Sequence, residues 1–154
     1  MESIRLRDVT VDDLDTIFDF EQDEEVVRRI NIPTRSRERF TKHWHGILAD
    51  DECMAKAVEV DGELAGNVVS WTQDGDRMTG YVFGRRFWGR GVGTAAMRLY
   101  LDVESVRPLY ADPSSGNPAS IRLLEKCGFQ RIGTELVPDH HGAGQIEHVM
   151  LRLD

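Results

Sequence analysis

The chain has 154 residues, 40% hydrophobic and 30% charged, which suits one soluble globular domain spanning residues 1–154 and excludes a disordered composition. A formal net charge of −8 argues against a nucleic-acid backbone as the main partner, and no apolar run approaches membrane-spanning length. Two cysteines, Cys53 and Cys127, are too few for a disulfide framework, and the N-terminus lacks a signal peptide's apolar stretch, so a cytoplasmic location with free buried thiols is expected.

Ile4 to Val9 alternates apolar and charged residues as a first strand. Thr10 with Asp13 is a helix-start signal, and Leu14, Ile17 and Phe18 give the helix that follows one apolar face. Its other face is acidic, and Glu21, Asp23, Glu24 and Glu25 extend that character beyond the helix end. These side chains are either a solvated face or a wall that receives a cationic amine.

Asn31-Ile32-Pro33-Thr34 interrupts the chain, and Thr34 or Ser36 caps a second helix with Phe40, Trp44, Ile47 and Leu48 as its apolar stripe. Strands are predicted over residues 55–60, 64–71 and 78–83, joined by turns at Asp61-Gly62 and residues 73–76. Gly66 marks a bulge or a close backbone approach. A helix then buries Val92, Ala96, Leu99, Tyr100 and Val103. Residues 109–111 form a short strand, parallel to the one before the loop because a helix crosses between them. Asn117 caps a helix with Pro118 in its first turn, and Gly128 closes it. Residues 129–137 and 146–153 form a final hairpin, a candidate surface for pairing into a homodimer.

The organising stretch is Phe87-Trp88-Gly89-Arg90-Gly91-Val92-Gly93-Thr94, where a strand passes through a glycine-rich turn into a helix. Unpaired N–H groups at a helix start, with a positive dipole end, form an anion site of diphosphate size. Arg85, Arg86 and Arg90 add charge nearby. The stretch lacks the Gly-Lys-Ser/Thr of a Walker loop and the second βαβ unit of a dinucleotide fold.

Trp88-Gly89-Arg90-Gly91-Val92-Gly93 resembles the acetyl-CoA pyrophosphate loop of the GNAT family of N-acetyltransferases, written Gln/Arg-x-x-Gly-x-Gly/Ala. Asn117-Pro118-Ala119-Ser120, continuing to Glu125-Lys126-Cys127-Gly128-Phe129, resembles the family's second motif. Trp88 stands where the first motif has Gln or Arg, a departure shared with the ribosomal-protein alanine acetyltransferases.

The resemblance implies a mixed α+β GNAT-like fold: a mostly antiparallel twisted sheet of six to seven strands with a splayed parallel pair, flanked by about four helices. It implies acetyl-CoA as donor and a protein N-terminal amine or a small cationic amine as acceptor, reacting in one ternary complex. Backbone N–H groups of Arg90, Gly91, Val92, Gly93 and Thr94 would hold the diphosphate. Val82 and Phe83 would flank the pantetheine arm, and Asn117 and Ser120 would reach its sulfur end. Leu124 stands where many members carry a tyrosine that protonates the thiolate, which leaves Ser120, water or unaided departure.

Glu21 and Glu24 are the candidate bases. Asp23, Tyr81 and His141 are candidate acceptor contacts, with Tyr81 and His141 also second-choice bases. His140, His141 and His148 fit no standard zinc spacing, and no metal is assigned. Two other readings stay open. One is an acyl-CoA-sensing domain without turnover. The other is a nucleotide-phosphate binder unrelated to CoA.

Overall fold

The computed structural model describes residues 2–154 and places one seven-stranded sheet at the centre. Strands β1 (Ile4–Asp8), β2 (Met54–Val60), β3 (Glu63–Gln73), β4 (Asp76–Phe83), β5 (Leu109–Ala111), β6 (Gln130–Pro138) and β7 (Gln145–Leu153) lie in the order β1-β2-β3-β4-β5-β7-β6. Every pairing is antiparallel except β4 with β5. Five α-helices flank the sheet: α1 (Leu14–Gln22), α2 (Glu24–Ile30), α3 (Arg37–Ala49), α4 (Val92–Val103) and α5 (Pro118–Lys126).

The first helical segment differs from the sequence expectation. The acidic run is no tail of α1, because Asp23 turns extended and its carboxylate accepts the Glu25 N–H at 2.9 Å, starting the separate helix α2. Glu24 and Glu25 therefore sit at a positive dipole end, with Arg28 and Arg29 in the last turn, and this charge order stabilises a seven-residue helix. Ser36 is the cap of α3 and accepts the Arg39 N–H.

Two apolar cores lie on opposite faces of the sheet. One packs Val58, Val68 and Leu109 against Val92, Ala96, Met97 and Tyr100 of α4 and Ile121 and Leu124 of α5. The other packs Ala57 against Leu14 and Ile17 of α1 and Phe40 and Trp44 of α3. The stripe of α4 centres on Ala96, Met97 and Tyr100, which leaves Leu99 and Val103 exposed, contrary to expectation. Leu48 is likewise exposed at the rim of α3. Both cysteines are free and half-buried, so neither is packed as deeply as expected.

The parallel pair is the feature that shapes the site. β4 and β5 are in register only at Arg77–Leu109 and Met78–Tyr110, while β4 runs on five residues further, to Phe83. Beyond Met78 the strands diverge. At the closed end, Arg77 donates to Glu104 at 2.6 Å, and the Glu104 side chain is 2% exposed. Removing one partner of a buried ion pair leaves an uncompensated charge. Glu104→Ala is therefore expected to destabilise the fold by about 3 kcal/mol in urea unfolding. A loss below about 0.5 kcal/mol would mean that the pair holds nothing.

Candidate functional site

The turn after β4 is shaped by its backbone. Gly89 and Gly91 take φ of +72° and +75°, the left-handed region that side chains disfavour. Gly91 is the N-cap of α4, and no side chain caps the helix. Its first internal bond is Ala95 N–H to Gly91 O at 3.1 Å, so the N–H groups of Val92, Gly93 and Thr94 point out of the helix. A Cβ on Gly91 would meet nothing within 4 Å, so the space over this helix start is open.

Trp88 anchors the turn. Its indole N–H donates to the Phe83 carbonyl at 3.1 Å, and the Arg29 guanidinium lies 4.7 Å from its ring centre. A tryptophan at this position is thus a brace between the end of β4 and α2.

The helix start opens into a cavity of about 660 Å³, walled by Phe83, Trp88, Gly91, Val92, Gly93 and Thr94 on one side and Ser120 and Leu123 on the other. Arg29, Arg122 and Lys126 supply its cations. A second cavity of about 750 Å³ lies beyond, lined by Glu21, Trp44, Asn67, Trp71, Asp112 and His148 among others. The two share Ile30, Tyr81, Asn117 and Ser120. At that junction the Tyr81 hydroxyl lies 2.5 Å from Ser120 Oγ and 3.3 Å from the Ser120 carbonyl. Burial pushes the Tyr81 phenol far above its ordinary pKa, so it stays protonated and donates. Asn117 holds the Ser120 N–H at 3.3 Å through its cap.

Glu21 is 8% exposed on the wall of the second cavity. Burial raises its pKa above the usual carboxylate range, and the Arg35 guanidinium 3.7 Å away works against that shift. Asp112 directly follows β5 in the same cavity, and burial raises its pKa against the opposing effect of His148. His148 Nδ1 lies 3.6 Å from Asp112, and its Nε2 is 2.9 Å from Asn31 Nδ2. Asn31 further donates to the Pro138 carbonyl and accepts the His140 N–H, tying α2 to the β6–β7 loop.

The predicted residues therefore divide. Gly91, Val92, Gly93, Thr94 and Phe83 wall the first cavity. Val82 and Glu21 wall the second, and Tyr81, Asn117 and Ser120 wall both. The side chain of Arg90 turns to Glu2, Arg85 pairs with Asp23, and Arg86 pairs with Glu63. None of these three arginines lines the first cavity, contrary to the charge expected around the loop. Asp23 is occupied as the α2 cap, Glu24 is exposed on α2, and the exposed His141 donates its N–H to Asp139. These three line neither cavity. The sequence reading missed Arg29, Arg122, Lys126, Arg35 and Asp112. The Ala111-Asp112-Pro113 step at a strand end was the one visible signal for Asp112. Among the described residues, no group of three or more His, Cys, Asp or Glu side chains is placed to hold a metal.

Residues 3–130 match the family described as Acetyltransferase (GNAT) domain. A kanamycin resistance protein of Rhizobium radiobacter is 38% identical over 55 residues, 33% of this chain and 51% of the relative. An aminoglycoside N(6')-acetyltransferase type 1 of Klebsiella pneumoniae is 38% identical over 55 residues, 33% of this chain and 27% of the relative. The match thus spans about half the length of the first relative and about a quarter of the second. Among solved structures, an aminoglycoside acetyltransferase in complex with coenzyme A superposes with a TM-score of 0.80 at 22% identity, covering 98% of this chain and 94% of that one. The spermidine N-acetyltransferase of Vibrio cholerae, in complex with CoA and spermine, superposes at 0.82 and 18% identity, covering 97% and 93%. These likenesses carry the fold, and the family match carries the assignment: this chain belongs to the GNAT acetyltransferase family.

Proposed function

We propose that the chain is a single N-acetyltransferase domain that moves an acetyl group from acetyl-CoA to a primary amine in one ternary complex. The observation that carries this reading is the meeting of two cavities at Tyr81, Asn117 and Ser120, one opening from an uncapped helix start and the other carrying a buried carboxyl. A diphosphate suits the N–H groups of Val92, Gly93 and Thr94 with Arg29, Arg122 and Lys126 around it. The pantetheine arm would pass between β4 and β5, along Val82 and Phe83, to the junction.

The amine approaches from the second cavity. A primary ammonium has a pKa near ~10, so it must lose a proton before attack, and Glu21 with its raised pKa is the group to take it. Glu21 and Asp112 favour a cationic acceptor. A small amine or a peptide N-terminus fits a cavity of about 750 Å³ open to solvent. We place the activity in the cytoplasm; among the described residues, no helix is long and apolar enough to cross a membrane. The edge strand β6, with Ile132 and Leu136 exposed, is the candidate surface for a homodimer.

Thiol release from acetyl-CoA across an amine panel (kanamycin, spermine, a peptide with a free N-terminus) tests the reading, beside calorimetry with CoA. Binding with turnover of at least one amine is expected. Binding without turnover on any amine would make the chain an acyl-CoA sensor. A thermal shift with ATP and none with CoA would make it a nucleotide binder.

A further inference from the structure

The transfer reading leaves one requirement without a residue. When the C–S bond breaks, the sulfur keeps the electron pair, and the thiolate must be stabilised or protonated where it forms. That place is the junction of the two cavities, and the hydroxyls lining it are those of Tyr81 and Ser120. Leu124, one turn beyond Ser120 on α5, is buried and aliphatic and has no proton to give. Glu21 lines only the acceptor cavity, on the amine's side.

The two hydroxyls are 2.5 Å apart. Either oxygen can donate across this contact. When the phenol, the stronger acid of the two, donates, Ser120 Oγ accepts and the serine's own O–H is free to turn to the cavity. The Tyr81 hydroxyl also stands 3.3 Å from the Ser120 carbonyl, which holds it over the first turn of α5, and Asn117 holds the Ser120 N–H from the other side. Ser120 itself is 9% exposed. The arrangement is a proton path of fixed geometry that ends in the cleft.

We infer that Ser120 and Tyr81 form one proton-delivery pair for the departing coenzyme A thiolate, with Ser120 as the catalytic residue and Tyr81 as the residue that positions and recharges it. The inference rests on the acetyl-transfer reading. The attacking nitrogen forms the C–N bond and the C–S bond breaks toward sulfur. The Ser120 hydroxyl proton passes to sulfur, giving the free thiol, and the Tyr81 proton passes to Ser120 Oγ. The nitrogen gives up two protons by way of Glu21, one as the ammonium becomes the free amine and one as the amide forms. Solvent receives both and returns one to Tyr81, so ammonium and thioester become amide, thiol and one released proton.

The test uses the full chain, acetyl-CoA and an amine that the unaltered protein acetylates. Tyr81→Phe and Ser120→Ala are each expected to lower kcat about 100-fold. The KM for acetyl-CoA should stay within about 2-fold, and the double variant should be no slower than the slower single one. Difluorotyrosine at position 81 keeps the ring and lowers the phenol pKa. It should bring into the accessible pH range a basic limb of kcat that the unaltered protein lacks, a change that a merely structural ring would not produce. Full kcat in Tyr81→Phe, multiplying losses in the double variant, or a difluorotyrosine profile with no new basic limb would overturn the pair while leaving the transferase reading intact. No thiol release by the unaltered protein with any amine would overturn both.

Discussion

Gly91→Asp is expected to weaken CoA binding about 100-fold while the fold survives. Gly91 has φ of +75°, and aspartate and asparagine are the side-chain residues that enter this region most readily. Its Cβ would project into open space over the N–H groups of Val92, Gly93 and Thr94. A carboxylate there occupies the anion's place and repels it. Two like charges about 4 Å apart repel by about 4 kcal/mol near a protein surface, and partial exposure and salt reduce this to the 100-fold scale. Gly91→Asn has the same shape and no charge, and should lose about tenfold or less. Calorimetry with CoA separates the two, and melting curves without ligand check that both variants fold. Equal losses in both would show that bulk, rather than charge, closes the site.

Glu21→Gln is expected to cut kcat/KM about 100- to 1,000-fold and to alter its pH dependence. The unaltered protein should gain activity with rising pH through an apparent pKa above the ordinary glutamate range, because burial favours the protonated carboxyl. Glutamine has no such limb. The stability effect has the opposite sign. A carboxyl whose folded pKa is raised binds its proton more tightly in the native state. Its contribution to stability therefore falls as pH rises from the unfolded pKa to the folded one. Above that window the glutamine variant should be at least as stable as the parent. Lost activity with retained stability marks a residue held for chemistry. If Glu21→Gln keeps full activity, the half-buried carboxyl of Asp112 becomes the base to examine.

Much of the fold was legible because its signals are local. The glycines of residues 89–93, the Asn117–Pro118 helix start, Gly128 and the Asp61-Gly62 turn each announce their conformation within a few residues, and the structure has them so. The parallel β4–β5 pair followed from a helix crossing between two strands. The wall of the first cavity was legible for the same reason, since one turn and one helix start supply most of it.

The wall of the second cavity was not legible. Glu21, Asn31, Asn67, Asp112 and His148 come from five separate segments, and only the tertiary fold brings them to one wall. The helix α2 was hidden because its acidic first turn reads as the tail of α1 until Asp23 is seen as a cap. Arg85, Arg86 and Arg90 looked free in the sequence, yet each meets a carboxylate from a distant segment: Asp23, Glu63 and Glu2. The charge they were expected to lend comes from Arg29, Arg122 and Lys126. Leu99 and Val103 were assigned inward by period alone, whereas the buried stripe of α4 runs through Val92, Ala96, Met97 and Tyr100.

The most direct measurement is a titration of the amide-labelled protein with CoA, followed by backbone NMR. Saturable shifts should concentrate on the N–H groups of Val92, Gly93 and Thr94 and extend along Phe83 to Ser120. If those resonances stay in place at CoA concentrations that saturate binding elsewhere, the helix start does not hold the diphosphate and the account of the site is wrong.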